Sequence, residues 1–373
     1  MLILHDKATL AHRTVELLAA KIIPALECPE RVEVILAALE ASGAHELRHI
    51  SVGSSASDST DSSLVRQSLT GNHLLDKLLL ESHDKGYLHH LRAIHSDWVT
   101  NGLVSKDENL LPECFHARPF LTSSQKRPPR DIFARLGYYA FDMSTGICKD
   151  TWTAAVASAN LAVEAARLLT TDEQTRNTVL ALCRPPGHHC TTDMAGGYCY
   201  INNVVVAVHA LRHYVQVRPR VAVMDLDFHH GNGTQHSFYR DPTVFYASIH
   251  GLEEYPYYTG FEDEVGEGEG EGYNLNIPLP PHASTDRYME ALGTAISAIV
   301  QFRPDHLVIS LGFDTFDGDP LGSFKIPTSG YEAIAAQVRH GLPSVPAIIA
   351  LEGGYVLEQL GQNMLAFLKG WEA

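Results

Sequence analysis

Five continuous apolar runs constrain most strongly what this chain can fold into. Their side chains do not alternate in polarity, which is typical of strands that are covered on both faces. Stretches with helical periodicity separate them, and such alternation predicts an α/β fold with a mostly parallel sheet between helices. The predicted strands cover residues 178–183, 220–227, 243–250, 306–312 and 347–354, and three helices are predicted at residues 151–169, 201–215 and 284–302.

The length of the chain would allow two average domains, but α/β folds of this size often form one. The chain has 373 residues, and 45% of them are hydrophobic, which suits one well-packed unit. We therefore predict a single domain over residues 1–373. A Ser-rich segment at residues 51–63, in a region that runs to about residue 75, is predicted to be a flexible loop or insertion.

Net charge, hydropathy and cysteine content limit the partners and the cellular location that we expect. The net charge is −16 with His neutral, so nucleic acid is not expected as a partner, because phosphate binding needs a basic surface. An acidic field attracts cations, although the same charge can serve solubility alone. No apolar stretch reaches the ~20 residues needed to cross a bilayer, so no membrane partner is expected. Six cysteines without a C-x-x-C pair, and an N-terminus without a signal-peptide pattern, indicate reduced thiols and a cytoplasmic location.

Polar residues cluster where the five predicted strands end. In open α/β sheets, ligand sites form at the carboxyl ends of the strands. The strand ends here read CRPPGHHC, DLDFHHGNG, SIHG, GFDTFDGDP and LEGGY. We therefore predict an active site along this edge of the sheet.

Two of these strand ends carry a potential metal site. Asp227 and His229 are two residues apart, and side chains with that spacing in extended chain point the same way. Asp314, after a neighbouring strand, can supply a third ligand. Two carboxylates and one imidazole leave positions open for water and substrate, as in a catalytic rather than a structural zinc site. The alternative is that these residues cap strands and satisfy buried backbone groups.

Two adjacent histidines, His188 and His189, follow a rigid RPPG turn. Hydrolysis at a metal site needs a base for the attacking water and an acid for the leaving amine. The two histidines can share or divide that work, and Asp225 and Asn232 are candidates to orient their rings. The alternative is one core histidine and one surface histidine.

Three tyrosines complete the predicted chemistry. Tyr355 follows an E-G-G sequence, and its phenol can donate a hydrogen bond to a developing oxyanion. Tyr198, after Gly197, and Tyr255 can form aromatic walls for a slender apolar or cationic group. Taken alone, each of these tyrosines would more often be a core residue. Together these residues predict metal-assisted hydrolysis of an unactivated amide, in a chain without a G-x-S-x-G sequence for a serine nucleophile.

The motifs RPPGHH, GGYCYINN, DLDFHHGNGTQ, SIHG, GFDTFDGDPLGSF and EGGY resemble, in order and spacing, those of the zinc-dependent deacetylase family. That family includes the histone deacetylases and the acetylpolyamine amidohydrolases. The resemblance runs from about Leu136 to the C-terminus and is weaker before it. It implies the arginase/deacetylase α/β fold with one catalytic zinc, although iron(II) could occupy the site. The pattern is most similar to the acetylpolyamine amidohydrolase-like branch, whose members form homodimers.

The resemblance also implies roles for individual residues. The metal ligands would be Asp227, His229 and Asp314, and the catalytic groups would be His188, His189, Tyr355 and Asp225, with His189 as the main base and acid. The substrate tunnel would be lined by Gly197, Tyr198, Tyr255, Leu321 and Glu16. Two structural potassium ions are implied, one bound by an inner set, Asp225, Asp227, His229 and Ser248, and one by an outer set, Phe238, Asp241, Val244 and Tyr273.

The positions that distinguish substrates within the family point in different directions. Glu16 matches one of the glutamates that favour a polyamine cation, whereas Phe133 and Ser144 stand where two further glutamates are found. Leu321 replaces the glutamate of the eukaryotic polyamine deacetylases and fits acetyl-lysine equally well. We therefore expect a deacetylase of acetylpolyamines, acetyl-lysine side chains or both. An arginase-like ureohydrolase with two manganese ions and a non-catalytic acyl-lysine binder are the two competing hypotheses.

Overall fold

A computed structural model describes residues 1–52, 68–116, 127–172 and 177–373 of the chain. Residues 53–63 of the predicted Ser-rich loop lie outside these ranges. The described strands are β1 Leu2–His5, β2 Val15–Leu18, β3 Lys21–Pro24, β4 Glu46–His49, β5 Thr178–Ala181, β6 Val221–Asp225, β7 Val244–Gly251, β8 Asn274–Leu279, β9 His306–Leu311 and β10 Ala347–Leu351. Within the described ranges, no helix is both long and apolar enough to cross a bilayer.

Eight of the strands form one parallel sheet in the order β4-β1-β5-β10-β9-β6-β7-β8, and β2 and β3 form a separate antiparallel hairpin. The α-helices of the described ranges are α1 Glu30–Ser42, α2 His73–Ser82, α3 Lys85–Thr100, α4 Ile132–Tyr138, α5 Thr151–Thr171, α6 Asn203–Tyr214, α7 Asn232–Phe238, α8 Thr285–Phe302, α9 Thr328–Gly341 and α10 Leu357–Trp371. The predicted α/β fold is confirmed by this arrangement.

Both faces of the sheet are buried under helices, which explains the continuous apolar runs. In β6, Val221 and Val223 belong to the core shared with α2, α3, α5 and α6. Ala222 and Met224 belong to the opposite core, shared with α1, α8, α9 and α10. Because successive side chains of a strand point to opposite faces, a strand between two helical layers needs an apolar residue at every position.

The five predicted strands correspond to β5, β6, β7, β9 and β10, and the three predicted helices to α5, α6 and α8. These strands are neighbours in the sheet, in the order β5-β10-β9-β6-β7, and all neighbouring pairs are parallel. Their carboxyl ends therefore meet along one edge. Four of the five observed strands, β5, β6, β9 and β10, end one to three residues before the predicted ones, and the residues that follow them enter loops.

Candidate active site

Asp227, His229 and Asp314 come together where β6 and β9 end. His229 Nδ1 lies 3.2 Å from Asp227 Oδ1 and 3.1 Å from Asp314 Oδ2, and the possible ligand atoms of the three buried residues lie within 4.8 Å of one another. The remaining carboxylate oxygens are held from behind. Asp227 Oδ2 accepts a hydrogen bond from the Gly353 N–H at 2.8 Å, and Asp314 Oδ1 accepts one from the Phe228 N–H at 2.8 Å.

This donor set fits a small divalent cation. Burial and the charge of Asp227 raise the pKa of Asp314, so two carboxylates at this spacing repel each other, and a bound cation would offset that repulsion. One imidazole nitrogen and two carboxylate oxygens suit zinc with positions left open. The chain leaves room for these groups by using glycine beside them, since a Cβ at Gly353 would lie 2.2 Å from Asp314 Oδ2.

The two adjacent histidines lie beside this cluster and have different partners. His188 Nδ1 is 3.2 Å from Asp225 Oδ2, whereas His189 Nδ1 is 2.8 Å from Asn232 Oδ1. Burial disfavours the charged form of His188, but the charges of Asp227 and Asp225 outweigh it and raise its pKa to about 10. Burial and the neighbouring His188 hold the pKa of His189 well below its usual range. Two histidines whose pKa values are displaced in opposite directions can divide proton chemistry between them.

Glu352, at the end of β10, holds the turn that carries these histidines. Its Oε2 accepts hydrogen bonds from the Gly187 N–H at 2.7 Å and the His188 N–H at 3.2 Å. Burial raises its pKa to about 7. The E-G-G-Y motif alone assigns no role to this glutamate, because its contact joins two distant parts of the chain.

Tyr355 is fixed through its backbone and its ring. Its N–H donates to Asp319 Oδ2 at 2.7 Å, while Asp319 Oδ1 accepts from the Leu321 N–H at 2.9 Å. The buried Arg31 guanidinium lies 5.0 Å from the centre of the Tyr355 ring, and its Nε donates to the Gly354 carbonyl at 2.6 Å. Burial holds the pKa of Tyr355 well above its usual range. The phenol therefore keeps its proton and can donate a hydrogen bond.

A pocket of about 360 Å³ leads to these groups. We call its buried end the floor, with His189, His229 and Tyr355, and its exposed end the mouth, with Leu17, Leu18 and Tyr257. The remaining lining residues are Glu16, Asp142, Met143, Ser144, Gly197, Tyr198, Glu254, Tyr255, Pro320 and Leu321. The structure therefore places every predicted tunnel residue in one cavity with His189 and Tyr355.

Gly197 lines the pocket in close contact with His189. Its φ is +55°, and a Cβ at this position would lie 2.2 Å from the ring of His189. A residue with a side chain would be strained there and would collide with the imidazole. The glycine therefore keeps the passage beside His189 open.

Three carboxylates line the pocket, but only Glu16 was anticipated. Its Oε2 accepts from the Tyr198 hydroxyl at 2.8 Å, and Asp142 Oδ2 accepts from the Tyr255 hydroxyl at 2.7 Å. Asp142 and Glu254 were missed because neither belongs to a motif that the resemblance assigned. Of the two positions where the family pattern has glutamate, Ser144 lines the pocket, whereas Phe133 packs on Trp98 outside its lining.

The inner and outer sets of residues that the resemblance assigned to potassium lie in two different parts of the fold. Asp225 and Ser248 of the inner set are register partners on β6 and β7. Phe238 and Val244 of the outer set flank the turn between α7 and β7, where the Phe238 carbonyl accepts from the Asp241 N–H at 2.9 Å. Potassium binding at both sets stays a prediction.

Comparison with known proteins agrees with this geometry. The histone deacetylase domain family matches residues 25–371. Acetylpolyamine amidohydrolase 1 of Pseudomonas aeruginosa is 36% identical over 360 residues, which cover 96% of this chain and 94% of that protein. The acetylpolyamine amidohydrolase of Mycoplana ramosa is 33% identical and covers 95% and 94%. A crystal structure of acetylpolyamine aminohydrolase from Burkholderia pseudomallei superposes with a TM-score of 0.85 at 32% identity, covering 100% of this chain and 99% of that one. The chain belongs to the histone deacetylase family.

Proposed function

We propose that this chain is a zinc-dependent amidohydrolase that removes the acetyl group from acetylated linear amines, with acetylpolyamines as its preferred substrates. One observation carries the proposal. A single pocket has His189, Tyr355 and His229 at its floor and three carboxylates along its walls, and His229 belongs to the buried metal-ligand triad. The floor matches amide hydrolysis. The carboxylates favour a substrate that carries a protonated amine in addition to its neutral acetamide.

The roles of the floor residues follow from their hydrogen bonds. Zinc held by Asp227, His229 and Asp314 would supply a Lewis acid for the acetyl carbonyl and the attacking water. His189 donates from Nδ1 to Asn232 Oδ1, so its other ring nitrogen is free to take a proton from water and return it to the leaving amine. Tyr355 donates a hydrogen bond to the carbonyl oxygen as negative charge develops there.

The walls determine which acetylated amines can enter. Tyr198 and Tyr255 line the passage, and their hydroxyl groups are held by Glu16 and Asp142. Such a passage suits a slender methylene chain with an acetamide at one end. Acetyl-lysine side chains have the same shape, and the uncharged Leu321 in the pocket lining supports them as a second substrate class.

An arginase-like ureohydrolase and a non-catalytic acyl-lysine binder are less well supported. Two relatives that match nearly the whole chain are named as amidohydrolases rather than ureohydrolases. A non-catalytic binder would be expected to lack part of the set formed by the three ligands, His189 and Tyr355, and this chain has all of it.

We extend the proposal to cellular context. Six free cysteines support a cytoplasmic location. Exposed apolar side chains of the β2–β3 hairpin, among them Ile22 at 67% exposure, support a homodimer, which light scattering can test. Two potassium ions per chain are proposed at the inner and outer sets.

The test is a side-by-side turnover assay of zinc-loaded protein on N-acetylputrescine, N-acetylspermidine and an acetyl-lysine peptide, with metal content measured per chain. We expect one zinc and higher kcat/KM for the acetylpolyamines. A clear preference for the peptide would instead identify a lysine deacetylase. Two manganese ions with release of urea from arginine, or no deacetylation of any substrate, would overturn the proposal.

A further inference from the structure

The three carboxylates that line the pocket differ in what their oxygens contact. Glu16 uses both oxygens, since Oε1 accepts from the Leu26 N–H at 2.9 Å and Oε2 from the Tyr198 hydroxyl. Asp142 Oδ2 accepts from the Tyr255 hydroxyl and from the Gly197 N–H at 2.8 Å. The Glu254 carboxylate has no hydrogen bond or ion pair with any residue that the structure describes. Glu254 alone of the three therefore offers both oxygens to a ligand.

The loop that carries Glu254 also brings an aromatic ring to the mouth. The Tyr257 N–H donates to the Glu254 carbonyl at 2.7 Å, and this turn puts both side chains on the pocket. The Tyr257 ring is nearly perpendicular to the ring of Tyr255, with 5.9 Å between ring centres, and to that of Tyr258, with 6.4 Å. It remains 58% exposed. An exposed tyrosine ring and an unpaired carboxylate that line the same pocket can attract an alkylammonium group, the carboxylate by its charge and the ring by a cation–π interaction.

We propose that Glu254 and the ring of Tyr257 form an outer cation subsite, which binds the ammonium group of the substrate that lies farthest from the acetamide. The subsite rests on the proposed function and narrows its substrate class to linear amines with a protonated nitrogen several bonds beyond the acetamide. A neutral alkylacetamide fits the same floor and has nothing to bind here. The contact with the ammonium group stabilises the bound substrate and does not involve the reacting atoms. Its loss should therefore change KM more than kcat.

The chain offers matched controls next to both residues. Glu253 is an exposed glutamate and Tyr258 is an 86% exposed tyrosine, and neither lines the pocket. We therefore compare Glu254→Gln with Glu253→Gln, and Tyr257→Leu with Tyr258→Leu. Each variant is assayed on N-acetylspermidine and on neutral N-pentylacetamide, and the measured quantity is the ratio of the two kcat/KM values.

We expect Glu254→Gln to lower this ratio about fivefold to tenfold, mainly through KM for N-acetylspermidine. Tyr257→Leu should lower it about threefold, and the two control variants should keep the wild-type ratio. The effect of Glu254→Gln should shrink as salt is raised, because the contact is partly open to solvent. An equal ratio in Glu254→Gln and Glu253→Gln would overturn the subsite.

Calorimetric titration with free spermidine separates this inference from the proposed function. It uses zinc-loaded protein and needs no turnover. Weaker spermidine binding in Glu254→Gln than in Glu253→Gln, in a protein that hydrolyses none of the acetylated amines, would keep the subsite and reject the deacetylase. Turnover of N-acetylspermidine with unchanged spermidine binding in Glu254→Gln would keep the deacetylase and reject the subsite.

Discussion

The floor and the mouth of the pocket are built in different ways. The residues of the floor follow strands at the centre of the sheet, and backbone N–H groups hold the carboxylates of Asp227 and Asp314 beside them. The mouth is built from the β2–β3 hairpin and from the loop after β7, where Leu17, Leu18 and Tyr257 are exposed. The floor is therefore rigid and serves the chemistry, whereas the mouth can vary and selects the substrate. Substitutions in the two regions should differ accordingly in size and in kind.

The largest loss is expected at the floor from His189→Ala. Removing the group that moves the proton should lower kcat on the order of 10³-fold, within the range usual for general acid–base catalysis. His189 is not one of the three proposed metal ligands, so zinc content measured on the same sample should remain one per chain. A loss of less than tenfold would mean that another residue carries the proton.

Tyr355→Phe should be the next most damaging change. It removes one hydrogen-bond donor to the developing oxyanion, which is typically worth about 10²–10³ in rate. The ring stays in place against Arg31, so KM should change little. Steady-state kinetics beside Tyr258→Phe, an exposed tyrosine outside the pocket, provides the comparison. Wild-type turnover in Tyr355→Phe would remove this residue from the mechanism.

The difference between residues that follow central strands and residues carried by irregular loops also decides what the sequence could predict. Asp227, His229 and Asp314 are recognisable because each follows a continuous apolar run, and the parallel order of β6 and β9 brings them together. Asp142 and Glu254 reach the pocket through irregular loops, and no periodicity fixes where such a loop carries a side chain. Strand β8 was missed for a related reason. It lies at the edge of the sheet with alternating burial, so it lacks the continuous apolar run used to recognise the others.

Gly197→Ala tests the boundary between the two regions. The added methyl group would lie 2.2 Å from the His189 ring, and displacing that ring by about 1 Å could cost ~10²-fold in kcat/KM. Gly318→Ala is the matched control, because Gly318 also has a positive φ, +94°, and has open space where its Cβ would lie. Backbone strain alone would affect both variants. If Gly318→Ala lowers kcat/KM as much, the close approach to His189 is not the cause.

Acidic pH should lower the folding stability through His83, which contacts the segments that follow the histidines of the active site. His83 is buried, and its Nδ1 lies 3.0 Å from the Thr191 carbonyl while its Nε2 accepts from the Asn202 N–H at 3.0 Å. These contacts use the neutral ring, and burial lowers its pKa to about 4 from the usual value of 6.5. Above pH 6.5 both the folded and the unfolded states are neutral. Between pH 6.5 and about 4 only the unfolded chain gains a proton, so stability falls with falling pH.

At pH 5 this one histidine should cost about 2 kcal/mol of folding free energy relative to about pH 7.5. Urea unfolding of the wild type and of His83→Gln at both pH values measures the contribution, because glutamine cannot take up the proton. The variant should lose less stability on acidification than the wild type. Equal losses would show that His83 does not contribute to the acid sensitivity.

The smallest effect is expected on the pocket wall from Glu16→Gln, although Glu16 is the residue that the family resemblance linked to polyamine binding. Both of its oxygens are already used by Leu26 and Tyr198, and burial raises its pKa. The substitution should therefore remove about one hydrogen bond and lower kcat/KM for N-acetylspermidine by roughly threefold. Tyr198→Phe removes the same bond from the other side, so the double variant should be no worse than the more affected single variant. A tenfold or larger loss confined to charged substrates would mean that Glu16 binds the cation directly. The pocket would then recognise charge through a buried carboxylate on its wall as well as through Glu254.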